Sequence, residues 1–165
     1  MSRFLNSPDP VDEKLKINRV QIENRAKWFA FIHDEMVRSG VADTEGILRR
    51  AIDHCGEHVA DQFLKMTDGK TDPDSFRTAF FHDIGLQSFL PSCTECSKDT
   101  MTVEYRYCAL VESWEKLGYD DETISKFCSI AMEGDRAIAR KMGYELELTE
   151  TLADKCSRCK LRFHR

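Results

Sequence analysis

With 165 residues, 41% of them hydrophobic, and a formal net charge of -5, the chain has material for one buried core and no excess of positive charge. That balance excludes a general electrostatic case for nucleic acid or an anionic membrane surface, and no apolar run approaches the roughly 20 residues needed to span a bilayer. The opening MSRFLNSPDPVDEK lacks the apolar stretch of a secretory signal. The expectation is a soluble, cytoplasmic single domain, 1–165, that takes a small-molecule ligand, with no nucleic acid or membrane partner and homo-oligomerisation left open. In that setting the seven cysteines read as packed, metal-bound or reactive thiols rather than as disulfides.

Residues 1–10, with Pro8 and Pro10, read as a loose arm before a first helix that ends near Ser39 and Gly40. Val20, Ala26, Phe29, Ile32 and Met36 give that helix an approximate apolar face, and Trp28 and Phe31 add bulk. A second helix from Asp43 or Thr44 carries Leu48, Ala51, Ile52, Cys55, Val59 and Phe63 on one stripe. His54 and His58 lie one turn apart on its flank. A pair at that spacing can chelate a metal, but no third ligand is suggested nearby, and a solvated flank is the simpler reading.

KMTDGKTDP, residues 65–73, reads as a loop, and a short helix from Asp74 to about Asp83 presents Phe76, Phe80 and Phe81, with His82 placed to line a site. Residues 86–91 read as irregular and lead to the first of two Cys-x-x-Cys pairs. The period then becomes two, with Met101, Val103, Tyr105 and Tyr107 alternating against polar residues, as in a strand with one buried face. ALVESWEKLG follows as a helix with Leu110, Val111, Trp114 and Leu117 inward.

The segment 120–143 reads as one helix, capped by Asp120 or Asp121 and stopped by Gly143. Its apolar stripe, Ile124, Phe127, Cys128, Ala131, Ile138, Ala139 and Met142, has a gap that Asp135 fills. A carboxylate on a buried face must be hydrogen-bonded, paired, metal-bound or protonated, and Gly134 beside it signals close approach of backbone or ligand. Two further alternating runs, Tyr144 to Thr149 and Cys159 to His164, read as a hairpin. The order of elements predicts an α+β fold, a helical N-terminal half packed on a small antiparallel sheet formed mainly by the C-terminal half, with residues 101–165 bearing the motifs.

Three of the four cysteines in that motif-bearing half read as inward by placement. Cys108 sits where a strand meets a helix start, so helix amides lower its pKa and make it a nucleophile. Cys128 shares a helix face with Asp135, and Cys159 faces inward with Leu161 and Phe163. A divalent metal such as zinc has two candidate ligand sets, Cys108, Cys128 and Cys159, or the four sulfurs Cys93, Cys96, Cys156 and Cys159.

The run from Tyr107 to Phe163 resembles the L-2-amino-thiazoline-4-carboxylic acid hydrolase family. The positions that carry the likeness are Cys108, Leu117 with Gly118, Cys128, Gly143, Thr151 with Leu152, and Cys159 with Arg162 and Phe163; AMEGDRAIA, 131–139, looks like the variant of one branch. The likeness is strong over about sixty residues and weak over ILRRAIDHCGEHVADQF. Ala131 and Lys160 stand where many members have aspartate. The resemblance implies hydrolytic opening of a cyclic thiazoline amidine carboxylate toward a carbamoyl-cysteine. It assigns Cys108 or an activated water as nucleophile, Asp135 with Glu133 as acid and base, Arg136 or Arg140 as carboxylate anchor, and Cys128, Trp114 and His82 as pocket wall. The competing class is a non-catalytic small-molecule or metal sensor with a cysteine-lined pocket.

Overall fold

The computed structural model describes residues 2–6 and 8–165. Helices α1 (Glu13–Arg38), α2 (Thr44–Met66), α3 (Pro73–His82) and α4 (Ile84–Gln87) precede strands β1 (Pro91–Cys96) and β2 (Thr100–Tyr105). Helices α5 (Ala109–Lys116), α6 (Asp121–Ala131) and α7 (Glu133–Lys141) follow, then β3 (Glu145–Glu150), a single 3-10 turn (Leu152–Asp154) and β4 (Cys159–His164). Asp12, Asp72, Asp83 and Asp120 each accept an amide hydrogen bond at a helix start, which satisfies an otherwise orphaned N–H. The fold is α+β.

The sheet is antiparallel throughout in the order β1-β2-β4-β3, so β4 inserts between β2 and β3. One core joins the inner face of the sheet, Met101, Val103, Leu161 and Phe163, to α2, α3 and α7 through Phe63, Phe76, Phe80, Ile138 and Met142. A second core holds α1 against α5 and α6 through Ala26, Ala30, Trp114, Ile124 and Phe127. Cys108 and Met132 touch both.

Several expectations are corrected here. Residues 2–6 are docked, not loose: Phe4 is buried in the second core, Arg3 pairs with Glu115 and Asp121, and Asn6 reaches Cys108. Helix α1 packs through Ile22, Ala26 and Ala30, leaving Val20 and Ile32 outside. The small face wins because the Trp114 indole N–H and the Ser113 hydroxyl donate to the α1 carbonyls of Ala26 and Glu23, at 3.0 and 3.1 Å. In α2 the buried face is Leu48, Gly56, Ala60 and Phe63, and Ala51, Cys55, His54 and His58 are exposed. The single helix expected over 120–143 breaks at Met132, two residues before Gly134, the weakest helix former in the run. Residues 86–91, read as irregular, include the end of α4 and the start of β1, and the Cys93 and Cys96 segment, given no element from the sequence, is an edge strand with a bulge between Cys93 and Glu95.

Candidate active-site crevice

The seam between the two cores gathers the C-terminal chemistry. Strand β2 ends at Tyr105, whose cross-strand partner on β4 is Cys159. Three residues on, Cys108 is the residue before α5, and its backbone is clamped by Asn6, which accepts from the Cys108 N–H at 2.8 Å and donates to the Cys108 carbonyl at 3.1 Å. Helix α6 adds Cys128 and α7 adds Asp135. Asp135 and Cys108 are each half-buried at this seam.

Polar groups here are unusually bare. Asp135 has no side-chain partner among the described residues, its own backbone N–H being the hydrogen-bond donor that favours its charge, and the Tyr105 hydroxyl is a buried polar atom with no partner. Burial raises the Asp135 carboxyl from 3.8 to about 6, against the pull of Arg136 and Arg25. Burial also pushes the Tyr105 phenol well above its usual range, and a charge on Asp135 adds to that. Both groups are desolvated, and an uncompensated buried polar atom costs about 1–3 kcal/mol.

The thiols behave differently from their expected activation. Burial pushes Cys108 up to about 11, and the Val111 and Leu110 amides at the start of α5 only partly offset it. The helix start is where the sequence places it, but desolvation wins. Cys159 is pushed up to about 12 by burial and Cys128 well above its usual value. Charge on any of Cys108, Asp135 or Cys159 raises Cys128, so the groups are electrostatic neighbours.

Among the described residues no group of three or more His, Cys, Asp or Glu side chains is arranged to hold a metal ion. Cys108, Cys128 and Cys159 thus share a neighbourhood without surrounding a common point. The four-sulfur set is not assembled either: Cys93 and Cys96 are exposed on edge strand β1, level with Val103 and Met101, while buried Cys159 lies on β4 beyond β2. The described residues do not fit a zinc ion.

Other expected site residues lie elsewhere. Glu133 is held by Arg49 at 2.6 Å and Arg136 at 3.0 Å, joining α7 to α2. Its carboxylate serves that ion pair, not the crevice. Arg136 also donates to the Ser129 carbonyl, and Arg140 lies on the surface paired with Asp53 and Glu57. Trp114 is a core residue, 1% exposed, and His82 is exposed at the end of α3. Two residues escaped the sequence reading. Tyr105 looked like an ordinary inward strand position, and Arg25 had no motif at all. Arg25 makes no ion pair among the described residues, and its charge lowers both Asp135 and Cys108.

A family model described as L-2-amino-thiazoline-4-carboxylic acid hydrolase matches residues 20–163. The chain belongs to this family. Membership reaches well beyond the C-terminal sixty residues, into α1, so the hydrolase-family fold includes both cores described above. No curated protein matches the chain. Among solved structures, a trafficking protein particle complex subunit 3 from Naegleria fowleri, in a crystal structure covalently bound to palmitic acid, aligns with a TM-score of 0.57 at 12% identity. The alignment covers 88% of this chain and 95% of that one. At that identity the likeness is one of fold. No helix among the described residues is long and apolar enough to cross a membrane.

Proposed function

We propose that this hydrolase-family chain opens a small cyclic amidine carboxylate of the 2-amino-thiazoline-4-carboxylate type by adding water, with Asp135 as general base and then acid. The observation that carries the reading is the Asp135 carboxyl, without a side-chain partner among the described residues and raised to about 6, whose charge acts on the unpartnered Tyr105 hydroxyl. A carboxylate at that pKa is mostly ionised at pH 7 yet gives its proton back readily. It takes one proton from water as the oxygen bonds to the amidine carbon. It returns that proton to the ring atom that leaves as the carbon–sulfur or ring carbon–nitrogen bond breaks, giving a carbamoyl-cysteine. The Tyr105 hydroxyl donates to the nitrogen or oxygen that gains electron density in the adduct. Arg25 replaces Arg136 and Arg140 as anchor for the substrate carboxylate, because those two are already engaged. Cys108, a protonated thiol with a pKa near 11, is wall rather than nucleophile.

The test is the ring-opening rate against pH. The wild type is expected to gain kcat/KM as pH rises through about 6, Asp135→Asn to lose turnover, and Arg25→Ala to raise KM with a smaller change in kcat. Full activity in Asp135→Asn overturns the reading.

A second reading, a binding module without turnover, is favoured by the contact of Cys108 with both apolar cores. A buried thiol there suits an apolar ligand, as the Naegleria protein of the same fold carries palmitic acid. Intact mass of the purified chain before and after neutral hydroxylamine separates the two: a thioester adduct on Cys108 with no ring opening selects the binding module.

A further inference from the structure

Helix α1 carries an apolar stripe that the described chain leaves uncovered. Ile17, Val20, Trp28, Phe31 and Ile32 are 57%, 53%, 74%, 55% and 50% exposed, opposite the Ile22, Ala26 and Ala30 face that packs inward. Single exposed apolar residues are ordinary, but five on one helix face are not. At about 100° per residue, Ile17, Val20, Asn24, Trp28 and Phe31 fall within roughly 40° of one line. Their spacing is three, four, four and three residues, so the stripe reads alike from either end, with Asn24 at its centre.

We infer that this face pairs with the same face of a second copy of the chain, the two α1 helices running antiparallel about a twofold axis at Asn24. An isologous contact requires a self-complementary patch, and this one is. Ile17 of one copy lies beside Phe31 of the other, and Val20 beside Trp28. The two Asn24 amides meet on the axis, each able to donate and accept, a polar pair that fixes register within an apolar seam. Beyond the apolar stripe Lys14 comes level with Asp34 of the other copy, an opposite pair, and Glu13 with Glu35, whose charges are already matched within their own copy by Lys16 and Arg38. Two aromatic and three aliphatic side chains at these exposures offer roughly 500 Å² per copy. The flanking stems of Lys14, Gln21 and Lys27 bring the patch toward the ~800 Å² per partner of a standard interface. The inference stands apart from the proposed hydrolysis, since α1 presents this stripe away from the crevice.

Light scattering of the full chain at 10 to 100 μM, as a practical range of roughly tenfold, is expected to give twice the 19.1 kDa chain mass. Trp28→Glu and Phe31→Glu are expected to give monomers with the parent's circular dichroism, because both side chains are already exposed within one copy. Asn24→Cys, on the axis, is expected to form a disulfide-linked dimer under mild oxidation, and Val37→Cys, on another side of the helix, is not. A monomeric parent, a dimer that survives both glutamate variants, or linkage through Val37→Cys but not Asn24→Cys overturns the inference. So does a monomer that co-floats with phosphatidylcholine vesicles, which assigns the stripe to lipid.

Discussion

Burial holds the Asp135 carboxyl at about 6, against 3.8 for a free aspartate, so folding takes up a proton between those values. A group raised in this way supports the fold fully below its unfolded pKa, and that support is lost as pH rises through the folded one. Above pH 6 the ionised carboxylate costs the fold on the order of 1–3 kcal/mol. Asp135→Asn is therefore expected to raise the melting temperature at pH 7.5, with the difference closing toward pH 3.5, while turnover is lost. An aspartate held in a structural ion pair would give the opposite thermal result. The thiols give a second expectation. With Cys108 near 11 and Cys159 near 12, iodoacetamide at pH 7.5 should label the exposed Cys55, Cys93 and Cys96 well before Cys108, Cys128 and Cys159, read by peptide mass spectrometry. Asp135 was legible in the sequence because a carboxylate interrupted an apolar stripe. Arg25 was not, because an exposed arginine on an amphipathic helix carries no local sign of what another helix brings beneath it.

Helix α7 lies against α2 at a glycine crossing. A Cβ added at Gly56 would press on the Gly134 carbonyl oxygen and sit 2.8 Å from the Ala137 methyl, whereas one at Gly134 would meet Ile52 Cγ2 at 3.5 Å, an ordinary contact. The sequence drew attention to Gly134, but the stringent position is Gly56 on the facing helix. Gly56→Ala is expected to cost about 3 kcal/mol or more by overpacking, roughly 6–12 °C in melting temperature for a domain of this size. Gly134→Ala should be neutral or stabilise by up to about 1 kcal/mol. Scanning calorimetry of the two variants distinguishes them. Periodicity located α2, α3, α5, β3 and β4 because each has one face more buried than the other, and β2 because its apolar and polar residues alternate, although all six are buried and not one face alone as expected. It missed β1, a polar edge strand with almost every side chain exposed, and it chose the bulky face of α1, since no local pattern reveals that Trp114 and Ser113 reach for α1 carbonyls.

The two cores meet along the crevice, and residues 2–6 close one side of it. Phe4 is 3% exposed among Ala26, Trp114 and Phe127, and Asn6 holds the Cys108 backbone from both sides. Phe4→Ala is expected to destabilise by about 3–5 kcal/mol and, by freeing Asn6, to bring Cys108 labelling closer to the rate of the exposed thiols. Unchanged labelling in a destabilised Phe4→Ala variant would show that the arm supports the core without guarding the crevice. Two prolines and a run of small polar residues made the arm look loose, and its docking could not be read from local sequence because the hydrogen-bond and ion-pair partners that hold residues 2–6 lie more than a hundred residues away.

That separation bears on how the chain is made. Residues 2–6 leave the ribosome long before Trp114, Ile124 and Phe127 exist, and at about 5–20 residues per second they wait for many seconds. Helix α1 waits as well, since its inward face rests on α5. The β1-β2 hairpin and helix α3 have near neighbours in sequence, but α2 awaits α7 and the second core can condense only when residue 127 has emerged. A nascent chain stalled before α5 thus carries an exposed Phe4 and both faces of α1 open, and protease sensitivity of the arm in arrested chains should end abruptly once α6 clears the exit tunnel.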